Sequence, residues 1–335
     1  MAIHRSSRAD AARVESTIAL IRSTLRLRHT TITNPRRKLN ARQYGQLLRT
    51  IRDSGDTELQ AYSEDKLRFD YTRSQQRFEI RIRTIIHEMM AESIFLKVGN
   101  WVEQLQGSDD TKVSNAARSV MWAGSTDVEF PFAKGENDSK SPDKSFIHTQ
   151  CGCQCVFPTV VVEVGFSQRN NDLQEKAEAY IRRSNGEIRA VVGVDMYKMF
   201  QAEKRNELRL KKKYMAGELD GTGSYVYAKD ENNETAEGSI VVWRPTFGRG
   251  GKKFRDEKGK PTDSVPLHLP LQDFICKAVK DSPAGSFEAP PLELVAEDVC
   301  LWVDRALKFY RTKRSQVVKE KAGRERQEKQ EKDKK

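Results

Sequence analysis

Two hydrophobic periods divide the chain. Val14, Ile18, Ile21 and Leu25 fall at helical spacing, as do Tyr44, Leu47, Leu48 and Ile51, which predicts two short helices joined through Thr30 to Pro35. A longer helix is predicted from Thr72 to Gln106, with Phe78, Ile82, Ile85, Ile86, Met89, Ile94 and Val98 facing a core. Beyond it the period shortens to two. Asp127 to Phe132 alternates through Val128, Phe130 and Phe132, Lys144 to Ile147 makes a short second strand, and Thr159 to Phe166 is the most apolar stretch of the chain. Asp172-x-x-Glu175, in capping-box spacing, opens a helix to Arg183, and a strand follows from Ile188 to Val194. Helix, three strands, helix and strand in that order give an α/β layout, one domain with a sheet packed between helices.

The remaining segments are more polar. Lys198 to Glu237 reads as a solvated insertion, partly helical through Leu210, ahead of a strand from Ser239 to Trp243. Residues 248–291, rich in Gly, Pro and charge, read as a long loop with one apolar piece from Leu267 to Ile275. Val295, Val299, Trp302, Ala306 and Phe309 form a stripe that docks a C-terminal helix before a charged tail leaves it at Lys319. The expected division is a basic helical N-terminal arm (1–70), a core (71–247), a loop region (248–291), and a C-terminal amphipathic helix and tail (292–335). No internal repeat is visible.

Charge changes this picture at the ends. Residues 1–52 hold twelve Lys/Arg against two acids and residues 308–335 twelve against five, so a net +11 resolves into +17 at the ends and −6 between them. Such arms are suited to neutralising the phosphates of nucleic acid, and the acidic body would then need a local feature such as a metal site to tolerate a polyanion. The plainer reading of a charge run is a solvated surface. An acidic protein partner, or a partner chain on the C-terminal helix, suits the same features. At 335 residues, with 32 % charged and 37 % hydrophobic positions and a mean hydropathy of −0.72, one core with solvated flanks is expected. The chain has neither an apolar run of signal-peptide length at its start nor one of about 18 residues that would cross a bilayer. Five cysteines without framework spacing fit reduced thiols. An intracellular protein is expected, nuclear or cytoplasmic, with Arg36-Arg37-Lys38 and Lys211-Lys212-Lys213 as import clusters. A mitochondrial presequence would suit the Arg- and Ser-bearing start better without Asp10 and Glu15.

Candidate chemistry starts from Glu163, set inside Val160-Val161-Val162-Glu163-Val164 and sharing a strand face with Val161 and Gly165. A carboxylate there costs several kcal/mol unless an ion pair or a metal compensates it. Twenty residues earlier Pro142-Asp143 stands at the mouth of the preceding short strand, and the connection is long enough to lay the two strands side by side. Two such acids suit Mg²⁺ or Mn²⁺, hard cations that take oxygen ligands. In the following helix Leu173, Lys176, Ala177, Tyr180 and Ser184 share a face, and Lys176 at its edge can reach the carboxylate end of the sheet. Two acids, a metal and a cation meet the needs of phosphodiester hydrolysis: an activated water and positive charge against the phosphoryl group. Singly these residues say little, since a strand Glu is ordinarily ion-paired and a helix-edge Lys ordinarily snorkels.

Together they carry a resemblance. Ser141-Pro142-Asp143-Lys144-Ser145-Phe146, Phe157-Pro158-Thr159 running through Glu163-Val164-Gly165-Phe166-Ser167-Gln168, Asp172-Leu173, Tyr180-Ile181, Ser184-Asn185-Gly186 and Val191-Val192-Gly193-Val194-Asp195 resemble a group of fungal PD-(D/E)XK nuclease-like proteins, relatives of bacterial restriction-endonuclease domains. Ile86-His87-Glu88, Gly124-Ser125-Thr126-Asp127 and Val241-Val242-Trp243-Arg244-Pro245 extend the resemblance to about half the chain. It implies a restriction-endonuclease-like fold, a central mixed sheet flanked by helices, to which the periodicity and charge read above add basic helical extensions at both ends. It implies Asp143 and Glu163 as ligands of Mg²⁺ or Mn²⁺, Glu88 as accessory acid, and hydrolysis of DNA or RNA. The lysine expected two positions after the acid is Gly165 here, so Lys176 or Gln168 is expected in its role. If neither reaches the site, the domain would bind nucleic acid or an acidic partner without cutting.

Three other motifs point elsewhere and are weaker. His87-Glu88-Met89-Met90-Ala91 begins like a zinc-protease helix but has Ala91 where the second histidine must stand. Cys151, Cys153 and Cys155 alternate, unlike a Cys-x-x-Cys knuckle, and are expected as reduced thiols at a loop or strand edge. Gly248 to Lys253 lacks the Ser/Thr and helix of a phosphate loop and reads as a flexible basic loop. Trp101, Trp122 and Trp302 are expected in the core.

Overall fold

The structure, a computed structural model, describes residues 2–26, 35–131, 138–152, 155–219, 233–245, 248–264 and 266–333, so Phe132, Cys153 and the 27–34 connection lie outside the described residues. The first elements are α1 (Ala2–Arg26), β1 (Arg36–Lys38), α2 (Ala41–Arg52), α3 (Thr57–Ala61), β2 (Phe69–Thr72), β3 (Arg77–Ile80), α4 (Ile85–Gln106) and α5 (Thr111–Arg118). Then come β4 (Val120–Gly124), β5 (Val128–Phe130), β6 (Asp138–Lys140), β7 (Lys144–His148), β8 (Val160–Gly165), α6 (Asn170–Arg183), β9 (Ala190–Asp195) and α7 (Tyr197–Ala216). The last are β10 (Gly238–Arg244), β11 (Gly248–Arg255), β12 (Leu267–Leu269), α8 (Lys277–Lys280), β13 (Leu292–Leu294) and α9 (Ala296–Asp333). The fold is mixed α/β, and the chain divides into two compact units: residues Met1–Ile82 with Ser125–Pro142, and Arg83–Gly124 with Asp143–Lys335.

The first unit corrects the expectation of a basic arm ending at residue 70. Its five strands run in the order β1-β3-β2-β6-β5. Val14, Ile18 and Ile21 of α1, and Leu47 and Ile51 of α2, share a core with Tyr71, Phe78 and Ile80 of the sheet. Most of the periodicity read in both helices is the face they bury, but Leu48, read on the same stripe of α2, is 40 % exposed and Leu25 is only half-buried. A capping box starts α2: Gln43 N donates to the Asn40 side chain and Asn40 N to the Gln43 side chain, each at 2.9 Å.

The long helix expected from Thr72 starts only at Ile85. Residues 69–80 form the β2–β3 hairpin, and Gln76, at φ 49°, turns the chain between its strands. Phe78 and Ile82, four apart, satisfy both periods; buried Ile80 between them marks the alternation of a strand. A second correction concerns the strand read at Asp127 to Phe132. Its described part, β5, pairs with β6 in the first unit. Besides β8, the neighbour of β7 in the second unit is β4, a segment to which the sequence pattern assigns no element.

The second unit holds a six-stranded sheet, β11-β10-β9-β8-β7-β4, in which β8 and β9 are parallel and every other pair is antiparallel. All six residues of β8 are buried, as in a strand covered on both faces. Glu163 and Gly165 face α6, where Leu173 packs against Gly165 and Gly193. Phe166, of opposite parity, meets His87 of α4, Phe200 of α7 and Tyr310 of α9 with ring centroids 6.3, 5.4 and 5.5 Å away. Arg169 is the N-cap of α6, so Asp172 lies in the first turn, where its charge favours the helix start without capping it.

Three polar segments are more ordered than their composition suggests. The insertion after β9 contains the twenty-residue α7, which buries Met199, Phe200, Ala202 and Leu210. The Gly-rich run at 248–253 belongs to edge strand β11 instead of a flexible loop. The stripe of α9 runs through Val299, Val303, Ala306, Leu307 and Tyr310, while Phe309 is 46 % exposed, because the helical face drifts past a strict three-four spacing. Nor does α9 leave the body at Lys319. Val318 and Ala322 pack with Leu210 and Tyr214 of α7, and Lys211 pairs with Glu325 at 2.7 Å. Trp101 is buried as expected; Trp122 on β4 is 41 % exposed.

Candidate active site

The β7–β8 register pairs Lys144 with Val162 and Ser145 with Val161, and one further step sets Asp143 opposite Glu163. Residues opposite one another in an antiparallel pair share a face, with Cβ atoms roughly 5 Å apart. Asp143 is fixed by its Oδ2, which accepts the Val164 N–H at 2.7 Å. Glu163 is 0 % exposed. Its Oε1 lies 2.8 Å from the Lys176 ammonium and accepts a hydrogen bond from the Tyr180 hydroxyl at 2.9 Å. Lys176 and Tyr180 stand one turn apart on α6, so a single helix face delivers both donors to the strand.

Local packing explains why the cation comes from the helix. A Cβ at Gly165 would stand 3.2 Å from Leu173 Cδ2, so a longer side chain two residues after Glu163 would run into the α6 contact. Lys176, one turn beyond Leu173, occupies the space next to Glu163 and is itself 4 % exposed. Gln168 sits half-buried in the turn between β8 and α6. Of the two candidate substitutes, Lys176 is in direct contact with the acid.

Arg83, just ahead of α4, completes the geometry. Its Nε lies 3.6 Å from Asp143 Oδ1 and its Nη1 3.4 Å from Glu88 Oε1. Glu88 is therefore linked to Asp143 through a guanidinium, on the more exposed side of the cluster. His87 serves the helix start: its Nδ1 lies 2.9 Å from Thr84 Oγ1. Arg83 was not legible as a site residue, because it precedes the helix in an irregular segment. Tyr180 was legible only as a core position, although its i+4 spacing from Lys176 held the signal.

The donors at Asp143 and Glu163 are all carboxylate oxygens, a set that fits a hard divalent cation. A second group with metal-binding capacity, His148, Cys151, Cys155 and Cys276, carries sulfur and nitrogen instead. The two described cysteines of the 151–155 run lie in the loop after β7 as free thiols. No described helix is long and apolar enough to cross a membrane. No protein-family model and no curated protein matches the sequence.

Proposed function

We propose that the second unit is a restriction-endonuclease-like domain that hydrolyses phosphodiester bonds in DNA or RNA with Mg²⁺ or Mn²⁺. The observation that carries this reading is the juxtaposition of Asp143, Glu163 and the Lys176 ammonium at one end of the β7–β8 pair. Asp143 and Glu163 would hold the ion, which supplies water activation and offsets phosphoryl charge. Lys176 orients Glu163 and adds a second positive charge next to the reacting group. Arg83 guards Asp143 from the exposed side, and Glu88 holds Arg83.

A second reading rests on the same contacts. Lys176 and Tyr180 already compensate Glu163 without any ion, as they would in a nuclease-fold module that binds and does not cut. Nucleic acid is the partner both readings favour. Arg311 and Arg314 are committed to Glu203 and Glu207, yet Lys313, Lys319, Lys321, Arg324 and Arg326 remain exposed along α9. The deciding experiment is cleavage of single- and double-stranded DNA and RNA with Mg²⁺ or Mn²⁺. Nuclease activity should be present in the wild type and abolished in Asp143→Ala. Salt-sensitive binding with no metal-dependent cleavage on any of the four substrates would give the site to the binding module.

A further inference from the structure

We propose that His148, Cys151, Cys155 and Cys276 form a closed structural zinc site. The four side chains each offer one ligand atom, and these atoms all lie within 4.8 Å of one another. Tetrahedral zinc with Zn–S bonds of about 2.3 Å spaces its sulfurs by roughly 3.8 Å, so the cluster needs to contract by only about 1 Å to close on an ion. Cys151 and Cys155, 3.3 Å apart at their sulfurs, would separate by about 0.5 Å to reach that spacing. Three cysteines and a histidine are a standard structural donor set, and a spacing of Cys-x-x-x-Cys is within the range such sites use.

His148 gives an independent indication. It closes β7, is 4 % exposed, and its Nδ1 is buried with no hydrogen-bond partner among the described residues. An unsatisfied buried nitrogen costs on the order of 1–3 kcal/mol, a cost that ligation through Nδ1 would remove. The fourth ligand comes from far along the chain. Cys276 caps the start of α8, brought there by the segment that seats Phe274 against Phe146 of β7 and accepts, at the Phe274 carbonyl, the Thr159 hydroxyl at 2.9 Å. An ion would therefore tie the connection between β12 and α8 to the β7 end of the six-stranded sheet.

Position and chemistry separate this site from the carboxylates. Asp143 precedes β7 and His148 ends it, so about five residues of extended chain, roughly 17 Å, lie between them. Soft sulfur donors select zinc over magnesium, and four protein ligands leave no open position for a substrate. The ion would hold the fold and take no part in hydrolysis.

The test is metal analysis of the full chain purified under reducing conditions without chelator. About one zinc per chain should survive gel filtration, persist in Asp143→Ala, and be lost in Cys276→Ser and in Cys151→Ser. Because misfolding of those variants would also release zinc, zinc-stripped wild type should be titrated with Co²⁺ as well. The intense visible bands of tetrahedral thiolate-bound cobalt should saturate at one equivalent and vanish on adding zinc. Wild type without zinc and without those bands would overturn the proposal. So would a Cys151–Cys155 disulfide in the reduced preparation, or zinc retained in full by Cys276→Ser.

Discussion

Two groups of buried acids in the second unit are paired in different ways. On α7, Glu203 and Glu207 each meet an arginine fork from α9. Arg311 Nε lies 3.1 and 3.0 Å from the two Glu203 oxygens, and Arg314 Nε and Nη2 donate to the two Glu207 oxygens at 2.8 and 2.9 Å. Both oxygens of each acid are engaged by a planar, permanently charged group, which suits a clamp between helices. On β8, Glu163 Oε1 meets a lysine ammonium and a tyrosine hydroxyl instead of a guanidinium fork. A compact ammonium on a flexible stem can shift to share its acid with another cation, whereas a guanidinium fork holds its carboxylate in one geometry. The first arrangement fits structure, and the second fits a site that exchanges partners.

The comparison breaks most visibly with Lys176→Ala, which removes the cation paired with the buried Glu163 carboxylate and should cost about 3–5 kcal/mol in urea unfolding. The same change should lower cleavage by roughly 100-fold or more per folded molecule. Arg311→Ala should cost a similar stability, yet leave cleavage per folded molecule unchanged. Equal loss of activity in both variants would erase the distinction between clamp and site.

A smaller effect sharpens the contrast through metal linkage. Mg²⁺ at about 100 times its dissociation constant should stabilise the wild type by about 2.7 kcal/mol, and should do nothing for Glu163→Gln. Glu203→Gln should keep the full Mg²⁺ response. Thermal melts at fixed ionic strength read all three proteins, and an undiminished response in Glu163→Gln would remove that residue from the ion.

The smallest effect is expected at the surface, where Glu237 pairs with Lys198 and Lys253. The hydrogen bond from Lys198, followed by that from Lys253, holds the Glu237 carboxyl below its usual range. A depressed acid contributes stability at neutral pH that is lost as pH falls through the carboxylate range. Glu237→Gln should therefore cost less than about 1 kcal/mol at pH 7, with a difference from wild type that fades in acid. A larger loss would mean that solvent screens this pair less than its exposure implies.

The legible parts of the fold were those in which apolar spacing has one interpretation. β8 and α6 came out nearly to the residue because Val160 to Val164 can only be a buried strand and Leu173, Ala177 and Tyr180 only a helix face. Residues 72–82 misled because Phe78 and Ile82 satisfy two periods at once. β6 was invisible: Asp138, Ser139 and Lys140 are polar yet buried, with the Lys140 ammonium 3.2 Å from Thr72 Oγ1 and Asp138 accepting the Arg73 N–H. Pairing of that kind depends on residues some 65 positions away, which no local pattern records. At the candidate site, Asp143, Glu163 and Lys176 could be named because a strand register and a helix face determine where they meet. Arg83 and the His148–Cys276 group depend on irregular segments meeting elements distant in sequence, and their proximity is a property of the finished fold.

The long helix α9 has a consequence for how the protein is made. It packs on α4 and β11 as well as α7, and joins Lys97 to Asp298 across 201 positions at 2.8 Å. During synthesis, α4 emerges from the ribosome with an apolar side that waits for roughly two hundred further residues before its cover exists. Contacts of such long range slow folding and prolong exposure to aggregation. The nascent second unit should therefore lean on chaperones until α9 emerges, and ribosome stalling before residue 296 should leave that unit as a sticky intermediate instead of a smaller folded domain.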